Sequence, residues 1–440
     1  MKNKIVKIES LGINGEGVAK VNGDIFFVPF ALPGEKVEIE VVREKGNLNF
    51  CKLKNVIQKS KNRVEPKCKY FGVCGGCNLE HLNYIEALNF KTNLVKETLK
   101  KVAGIEVGVL KTIASPNYNY RNKMVFPIGQ SDGKNIVGMF QEKSHKIVEI
   151  KRCEIADETI NKVLNLFNIF LKKSSLKGFY LNENLGELKY ISCRVLNACP
   201  SVTIVATKDI SKLICEFEKF LKENFEKYSL WLNINNKNTS EILSDNFKFI
   251  GGEKEVKMSS FGIKYSVHPY SFKQVNNEIE KKLYDEILKN IKEDSVIINA
   301  YSGAGLLSAI LSKNAKKVYG IEINKNATND ANMLKSSNSI ANLDNICGDA
   351  AKKLPNILKT NKDAVVVLDP PKAGVDKKLI QVLLDSNVQK IIYVACGLTT
   401  LCRDLRLLKE GYDIKFVQPF DMFPNTNNVE TLICLERKIW

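Results

Sequence analysis

Between positions 1 and 58 apolar residues recur at every second place in short runs, KIVKIES, VAKVNGDIFFVPF and KVEIEVVREKGNLNFCKLKNVI, separated by the turn signals Asn22-Gly23 and Pro33-Gly34. A period of two rich in β-branched residues predicts strands. Five short strands of this kind predict a small barrel of the oligonucleotide-binding type, an SH3-like or purely structural barrel being the other reading of the same pattern. The period lengthens to three and four in YIEALNFKTNLVKETLKKV (84–102), which predicts a helix. From 120 to 260 the pattern is weaker, with strands at MVFPIG and KYISCRVL and helices at ETINKVLNLFNIFLKK and SKLICEFEKFLKENFEK.

From 277 the order is clear. A helix, NEIEKKLYDEILKNI, precedes the strand-like SVIINA; then follow LLSAILSK, KVYGIEI, a helix over 325–338, AVVVLDPP, a helix over 376–386, KIIYVAC, a helix over 399–410, and late strands at DIKFVQPF and VETLICLER. Strands alternating with helices predict a doubly wound parallel sheet. The expected division is therefore a barrel over 1–59, a central α+β domain over 60–265 and an α/β Rossmann-like domain over 266–440, with part of 80–112 packing on the last.

A chain of 440 residues exceeds what one core supports, which agrees with several domains. Its formal charge of +17, from 66 Lys and Arg against 49 Asp and Glu, favours a polyanionic partner over mere surface solubility only evenly, since the lysines are spread along the chain. The charged start MKNKIVKIES and the lack of a long apolar run predict a soluble, cytoplasmic protein with no membrane partner, and a monomer. Twelve cysteines in such a setting stay reduced, so a tight cluster of them reads as metal binding or catalysis.

Four motifs carry chemistry. Gly303-Ala304-Gly305 between a strand and a helix, with Glu322 closing the next strand, suits a nucleoside cofactor whose ribose meets the carboxylate. No further glycine follows at dinucleotide spacing, so S-adenosylmethionine is favoured over NAD. Asp369-Pro370-Pro371 makes a stiff corner at the sheet edge, and Lys372 after it, where an aromatic would stack on a base, argues against amine methylation. Cys396 ends a strand at the carboxyl edge of the sheet, and Glu430 opens another. A thiolate adding to carbon 6 of a uracil activates carbon 5 toward a methyl sulfonium, and a carboxylate then removes the carbon-5 proton. A packed thiol and a strand-end charge are the bland readings of the same pair. Cys68, Cys74 and Cys77 form C-x5-C-x2-C in KCKYFGVCGGCNLEH, three soft ligands with Cys153 or His81 as the fourth, and an iron–sulfur cluster is favoured over zinc.

Taken together these residues resemble the RNA uracil-5-methyltransferase family over nearly the whole chain. The barrel is similar to the family's TRAM domain, the CKYFGVCGGC loop to its four-iron cluster motif, and the last domain to its methyltransferase domain. The resemblance implies that Cys68, Cys74, Cys77 and Cys153 ligate a [4Fe-4S] cluster, and that Gln274, Tyr301, Glu322, Asp349 and Asp369 hold S-adenosylmethionine. It further implies that Cys396 is the nucleophile and Glu430 the base. Structured RNA is then the partner, 23S ribosomal RNA first, because family members with both a TRAM domain and a cluster act mainly there, and the T-loop uridine of transfer RNA second.

The chain departs from the family pattern at Asn299 and Ser302 in the first cofactor loop, at Lys372 for an arginine, at Gly397-Leu398 for Asn-Pro, and at Asn425 and Asn428 for histidines. Lys273 also stands where the family often has an aromatic. Lysine lacks the planar fork of donors that arginine offers. These changes leave open an RNA-binding protein that kept the fold without turnover.

Overall fold

The computed structural model describes residues 3–179, 185–239 and 241–438. The first unit is a sheet of six strands, β1 (Asn3–Lys7), β2 (Ser10–Leu11), β3 (Gly17–Val21), β4 (Asp24–Val28), β5 (Lys36–Lys45) and β6 (Leu48–Gln58), ordered β1-β5-β6-β4-β3-β2. Its alternating inward residues, among them Val6, Phe26, Val28, Val37 and Ile39, form one small core. The extra strand is the short β2, too brief to show a period. Arg63, beyond the last strand, fastens the next segment of chain to this unit by pairing with buried Glu35 at 2.5 Å and donating to the Phe30 carbonyl at 2.7 Å.

Helix α1 (Tyr84–Thr98) is capped by Asn83, whose side chain accepts from the Ile85 amide, and runs into a π-helical turn, Leu99–Ala103, ended by left-handed Gly104. Although early in the chain, this helix buries Val95, Leu99 and Ala103 in the core of the last domain. The segment after it adds parallel bridges from Val109 to Val417 and from Ile113 to Phe420.

A second sheet holds β7 (Lys123–Ser131), β8 (Lys134–Phe140), β9 (Ile147–Glu149), β10 (Leu188–Leu196), β11 (Cys199–Ala206), β12 (Ser229–Ile234) and β13 (Phe247–Gly252), in the order β13-β12-β11-β10-β7-β8-β9. Helices α2 (Glu158–Lys173) and α3 (Ser211–Asn224) cover one face, where Ile191, Cys193, Val202 and Ile204 meet Phe167, Phe170 and Phe217. The opposite face carries Ser192, Arg194, Ser201 and Thr203. A hairpin, β14 (Lys257–Ser260) and β15 (Ile263–Ser266), leads onward.

The last domain contains α4 (Asn277–Lys289), β16 (Val296–Ala300), α5 (Leu306–Leu311), β17 (Lys317–Glu322), α6 (Lys325–Ser337), β18 (Leu343–Cys347), α7 (Ala350–Leu358), β19 (Val365–Leu368), α8 (Lys377–Asp385), β20 (Lys390–Ala395), α9 (Leu398–Leu408), β21 (Tyr412–Phe420) and β22 (Glu430–Arg437). The sheet order is β18-β17-β16-β19-β20-β22-β21, with β18 to β20 parallel and the last two strands antiparallel. Successive strand residues go to opposite sides: Ile298, Val366, Ile391 and Tyr393 pack under α7, α8 and α9, while Ile297, Val367, Ile392 and Val394 pack under α4 and α5. This order puts the carboxyl ends of β16, β19 and β20 side by side, where such sheets hold ligands. Among the described residues no helix is long and apolar enough to cross a membrane.

Candidate active site

One cavity of about 1260 Å³ opens at that edge, and its walls include Gln274, Tyr301, Asp369, Lys372, Cys396 and Glu430. The antiparallel pairing of β20 with β22 sets Ala395 opposite Thr431, so Cys396 and Glu430 are the next residues on facing strands. Sequence reading named both residues but could not show that their strands are neighbours.

Glu430 is 3% exposed, and burial together with the Asp369 carboxylate pushes its pKa up to about 8 against the opposing pull of Lys372. Burial raises Asp369 to about 7. The Cys396 thiol is raised by burial first and by Glu430, with Lys372 lowering it. A thiol, two carboxyls and one ammonium therefore share one pocket, in which Asp369 and Lys372 act in opposite directions on both Cys396 and Glu430.

At the end of β16, Tyr301 adopts φ 64°, a left-handed conformation unusual for a tyrosine. Gly303 follows at φ 54°, and a Cβ there would meet nothing within 4 Å, so the missing side chain leaves open space at the cavity wall. Gly305 is glycine for the opposite reason, since a Cβ would come within 2.6 Å of the Ala331 methyl on α6. Buried Asn299 donates to Ser308 Oγ at 2.9 Å and leaves its Oδ1 without a partner.

Glu322 and Asp349 lie outside this lining. The Glu322 carboxylate accepts from the Gly303 amide at 2.9 Å and the Asn324 amide at 2.8 Å, fastening the glycine loop to the start of α6. Asp349 caps α7 by accepting from the Ala351 amide at 2.8 Å, with its charge felt by the Tyr301 hydroxyl. Gln274 lies on the segment before α4, tied to Asn122, whose amide donates to the Gln274 carbonyl at 3.0 Å. Beneath it Lys273 and Glu280 form a buried ion pair at 2.7 Å. Lys273 and Asn299 drew notice only as departures from a pattern; both line the cavity.

The loop between β21 and β22 carries Phe423, Thr426 and Asn428 into the cavity wall. It is held from outside. Buried Lys91 on α1 pairs with Asp421 and donates to the Phe423 carbonyl, the Tyr120 hydroxyl donates to Pro424 at 3.1 Å, and the Asn425 amide donates to Asn117 at 2.7 Å. The backbone amides of Asn78 and Leu79 both donate to the Asn425 carbonyl, at 3.1 and 3.0 Å.

Asn78 directly follows the cysteine loop. Cys68, Cys74, Cys77 and Cys153 are all free thiols. Burial raises each of them, and Cys77 is raised further by Cys153, Cys74 and Cys68. The four are thus electrostatic neighbours, although Cys153 comes from beyond β9. His81, the other candidate fourth ligand, is packed against Phe30 and Phe71, and burial pushes its pKa down to about 3. Among the described residues no group of three or more His, Cys, Asp or Glu is placed to hold a metal ion.

Residues 83–438 match the family described as tRNA (uracil-5-)-methyltransferase, and residues 4–50 match the TRAM domain. A Clostridium tetani protein named as an uncharacterized RNA methyltransferase is 36% identical over 436 residues, covering 97% of this chain and 95% of its own. A similarly named protein of Halalkalibacterium halodurans is 35% identical over 450 residues, covering 99% and 98%. Among solved structures, the Pyrococcus abyssi tRNA (uracil-54, C5)-methyltransferase in complex with S-adenosyl-L-homocysteine aligns with a TM-score of 0.79 and 24% identity, over 98% of this chain and 99% of that one. At that identity the likeness speaks for the fold.

Proposed function

Because the chain belongs to the tRNA (uracil-5-)-methyltransferase family, matched over residues 83–438, we propose that it methylates carbon 5 of a uridine in 23S ribosomal RNA through a covalent bond between Cys396 and carbon 6 of the base. The observation that carries this reading is the placement of Cys396 and Glu430 at the ends of facing strands within one cavity.

The open wall at Gly303, the unpartnered Asn299 oxygen and the Asp369 carboxylate fit S-adenosylmethionine, with Gln274 and Tyr301 beside them. When bound, that molecule supplies an electrophilic methyl group on a sulfonium. Glu322 and Asp349 act one layer back, Glu322 by shaping the glycine loop and Asp349 by starting α7.

The uridine enters extruded from its stack. Cys396, as thiolate, bonds to carbon 6, and the electron pair of the 5,6 double bond moves to the enolate, whose carbon 5 takes the methyl group as the methyl–sulfonium bond breaks and leaves a neutral thioether. Glu430, ionised, removes the carbon-5 proton; the electrons restore the double bond and the carbon–sulfur bond breaks, returning Cys396 as thiolate. Lys372 favours the ionised forms of Glu430 and Cys396, because it lowers both pKa values. The buried position of Glu430 keeps it protonated until a cationic partner or higher pH ionises it.

Cys68, Cys74, Cys77 and Cys153 would hold a [4Fe-4S] cluster. Their nearness supports this reading: the Cys77 thiol is raised by Cys153, Cys74 and Cys68, and the Cys153 thiol by Cys74 and Cys68. Its role in this reading is structural, with no step passing through it. The TRAM unit and the cluster unit would grip the RNA around the target.

A 23S transcript carrying 5-fluorouridine, incubated with S-adenosylmethionine, tests the chemistry, since fluorine cannot leave as a proton. A covalent RNA–protein band on a denaturing gel is expected, and it should vanish with Cys396→Ala. The family description, which names transfer RNA, supports it as the second reading; trapping on a 5-fluorouridine transfer RNA but not on 23S RNA would install it. Trapping on neither would leave an RNA-binding protein without turnover.

A further inference from the structure

The face of the second sheet turned away from α2 and α3 holds a cationic pair that the reaction above does not use. Arg194 on β10 lies directly opposite Lys123 on β7 and, on its other side, opposite Ser201 on β11; Ser192 faces Thr203 in the same way. Two like charges directly opposite on neighbouring strands repel. Arg194 is only 5% exposed, yet its Nε and Nη1 have no hydrogen-bond partner. Among the described residues neither Arg194 nor Lys123 forms an ion pair. The carboxylate acting on Arg194 is Glu280, already taken by Lys273 at 2.7 Å. A third cation, Arg121, is near enough to Lys123 to help burial and Arg194 push its pKa down to about 8.

A buried guanidinium with free N–H groups is costly unless an anion meets it. Lys123, Ser192, Arg194, Ser201 and Thr203 share the lining of a small recess of about 10 Å³ with His268 and with the apolar Leu196, Val267 and Pro269. That volume takes one oxygen atom, about the size of a water. His268 and Val267 also line the large cavity, as does Arg121, so the recess adjoins the pocket holding Cys396 and Glu430.

We propose that Arg194 and Lys123 form a seat for one phosphate of the RNA backbone next to the extruded uridine, a non-bridging oxygen entering the recess while the rest of the group stands in its mouth. The inference rests on the RNA-substrate reading given above. Guanidinium and ammonium suit a phosphate oxygen, the three hydroxyls of Ser192, Ser201 and Thr203 add polar groups beside them, and the adjoining cavity is where the flanking backbone must pass. The seat carries no base information; it fixes the strand's register so that the extruded base meets Cys396.

The test measures affinity for unmodified full-length 23S ribosomal RNA transcript across a series of salt concentrations, with S-adenosylmethionine binding followed separately. Arg194→Gln and Lys123→Gln are each expected to weaken RNA binding and to make the log–log salt slope shallower by about 0.7 to 0.9, one phosphate contact's worth, with S-adenosylmethionine affinity unchanged. Lys219→Gln, on α3 across the sheet, should leave the slope as it was. Should Arg194→Gln fail to fold, the less buried Lys123→Gln decides. Folded variants with wild-type slope and affinity would overturn the seat and leave Arg194 as a counter-charge to Glu280, and so would an equal loss in Lys219→Gln. Wild-type protein binding neither 23S nor transfer RNA would instead overturn the substrate reading itself, and the seat with it.

Discussion

Asn78 and Asn427, separated by 349 positions, exchange hydrogen bonds: the Asn78 side-chain amide donates to Asn427 Oδ1 at 3.0 Å, and the Asn427 backbone amide donates to Asn78 Oδ1 at 3.0 Å. Each also reaches the first unit, Asn78 donating to the Asn14 carbonyl at 2.6 Å and Asn427 to the Ile13 carbonyl at 3.1 Å. Three parts of the chain meet at this pair, three residues before Glu430, so the cysteine loop and the TRAM unit both bear on where the carboxylate stands.

Asn427→Ala should therefore slow turnover without touching the cofactor site. Each net hydrogen bond contributes about 1 kcal/mol, and losing two that position Glu430 is expected to lower kcat by up to about thirtyfold while S-adenosylmethionine binding stays the same. Partial rescue by Asn427→Asp would separate positioning from general loss of fold. An unchanged kcat in Asn427→Ala would show that the remaining ties, from Lys91, Tyr120, Asn117 and the Asn78 and Leu79 backbone amides, suffice to hold the loop.

The raised carboxyls set a pH dependence. With Glu430 at about 8 and Asp369 at about 7, single-turnover methylation is expected to climb with pH until about pH 8 as both ionise. Stability should run the other way. Both groups titrate higher in the folded chain than in the unfolded one, so the stabilisation from holding their protons is complete in acid below the unfolded carboxyl values and is lost as pH rises through about 7 to 8. The ligand-free melting temperature should fall across that window, and less so in Glu430→Gln. An identical fall in the variant would contradict this account.

Anaerobically prepared protein should contain about four iron atoms and four acid-labile sulfides per chain if the four cysteines hold a cluster. Cys77→Ser should lose most of both, and through Asn78 should also depress turnover. Iron and sulfide at background in the wild type would remove the cluster and leave the loop as a thiol-rich strut.

Breaking the Lys91–Asp421 pair isolates a charge in the core, because Lys91 is 1% exposed and Asp421 is 0%. Lys91→Met is expected to cost about 3 to 5 kcal/mol by denaturant unfolding, and adding Asp421→Leu should recover part of it. A single substitution that leaves the unfolding midpoint in place would mean water reaches the site.

Much of the last domain could be read from its sequence because its strands are short apolar runs ended by chemistry-bearing motifs, and α2 is predicted from end to end by its apolar stripe. Elements without a clean period were invisible. β18, LDNIC, is half polar on a sheet edge, and α7 contains Pro355, a residue that argues against a helix. The hairpin of β14 and β15 is too short to alternate convincingly. At the site, spacing pointed to Cys396 and Glu430, but only the antiparallel return of β22 beside β20 brings them face to face. Nothing local in YRNK or SCRVL signals that Lys123 and Arg194 become cross-strand neighbours, since a register is a property of two strands and not of either one.

Helix α1 belongs to the catalytic half in space and to the early half in sequence: the Cys402 thiol meets the Thr98 carbonyl across 304 positions, at 3.6 Å. A fragment beginning at 266 would leave raw the apolar floor that Val95, Leu99 and Ala103 cover, and would be expected to aggregate. The enzyme half can be finished only after the whole polypeptide exists, with its opening third kept waiting for the end, and closing so long a loop is slow. Ligation of the first two units to a foreign methyl-transferring core would therefore have to carry α1 along as a passenger of that core.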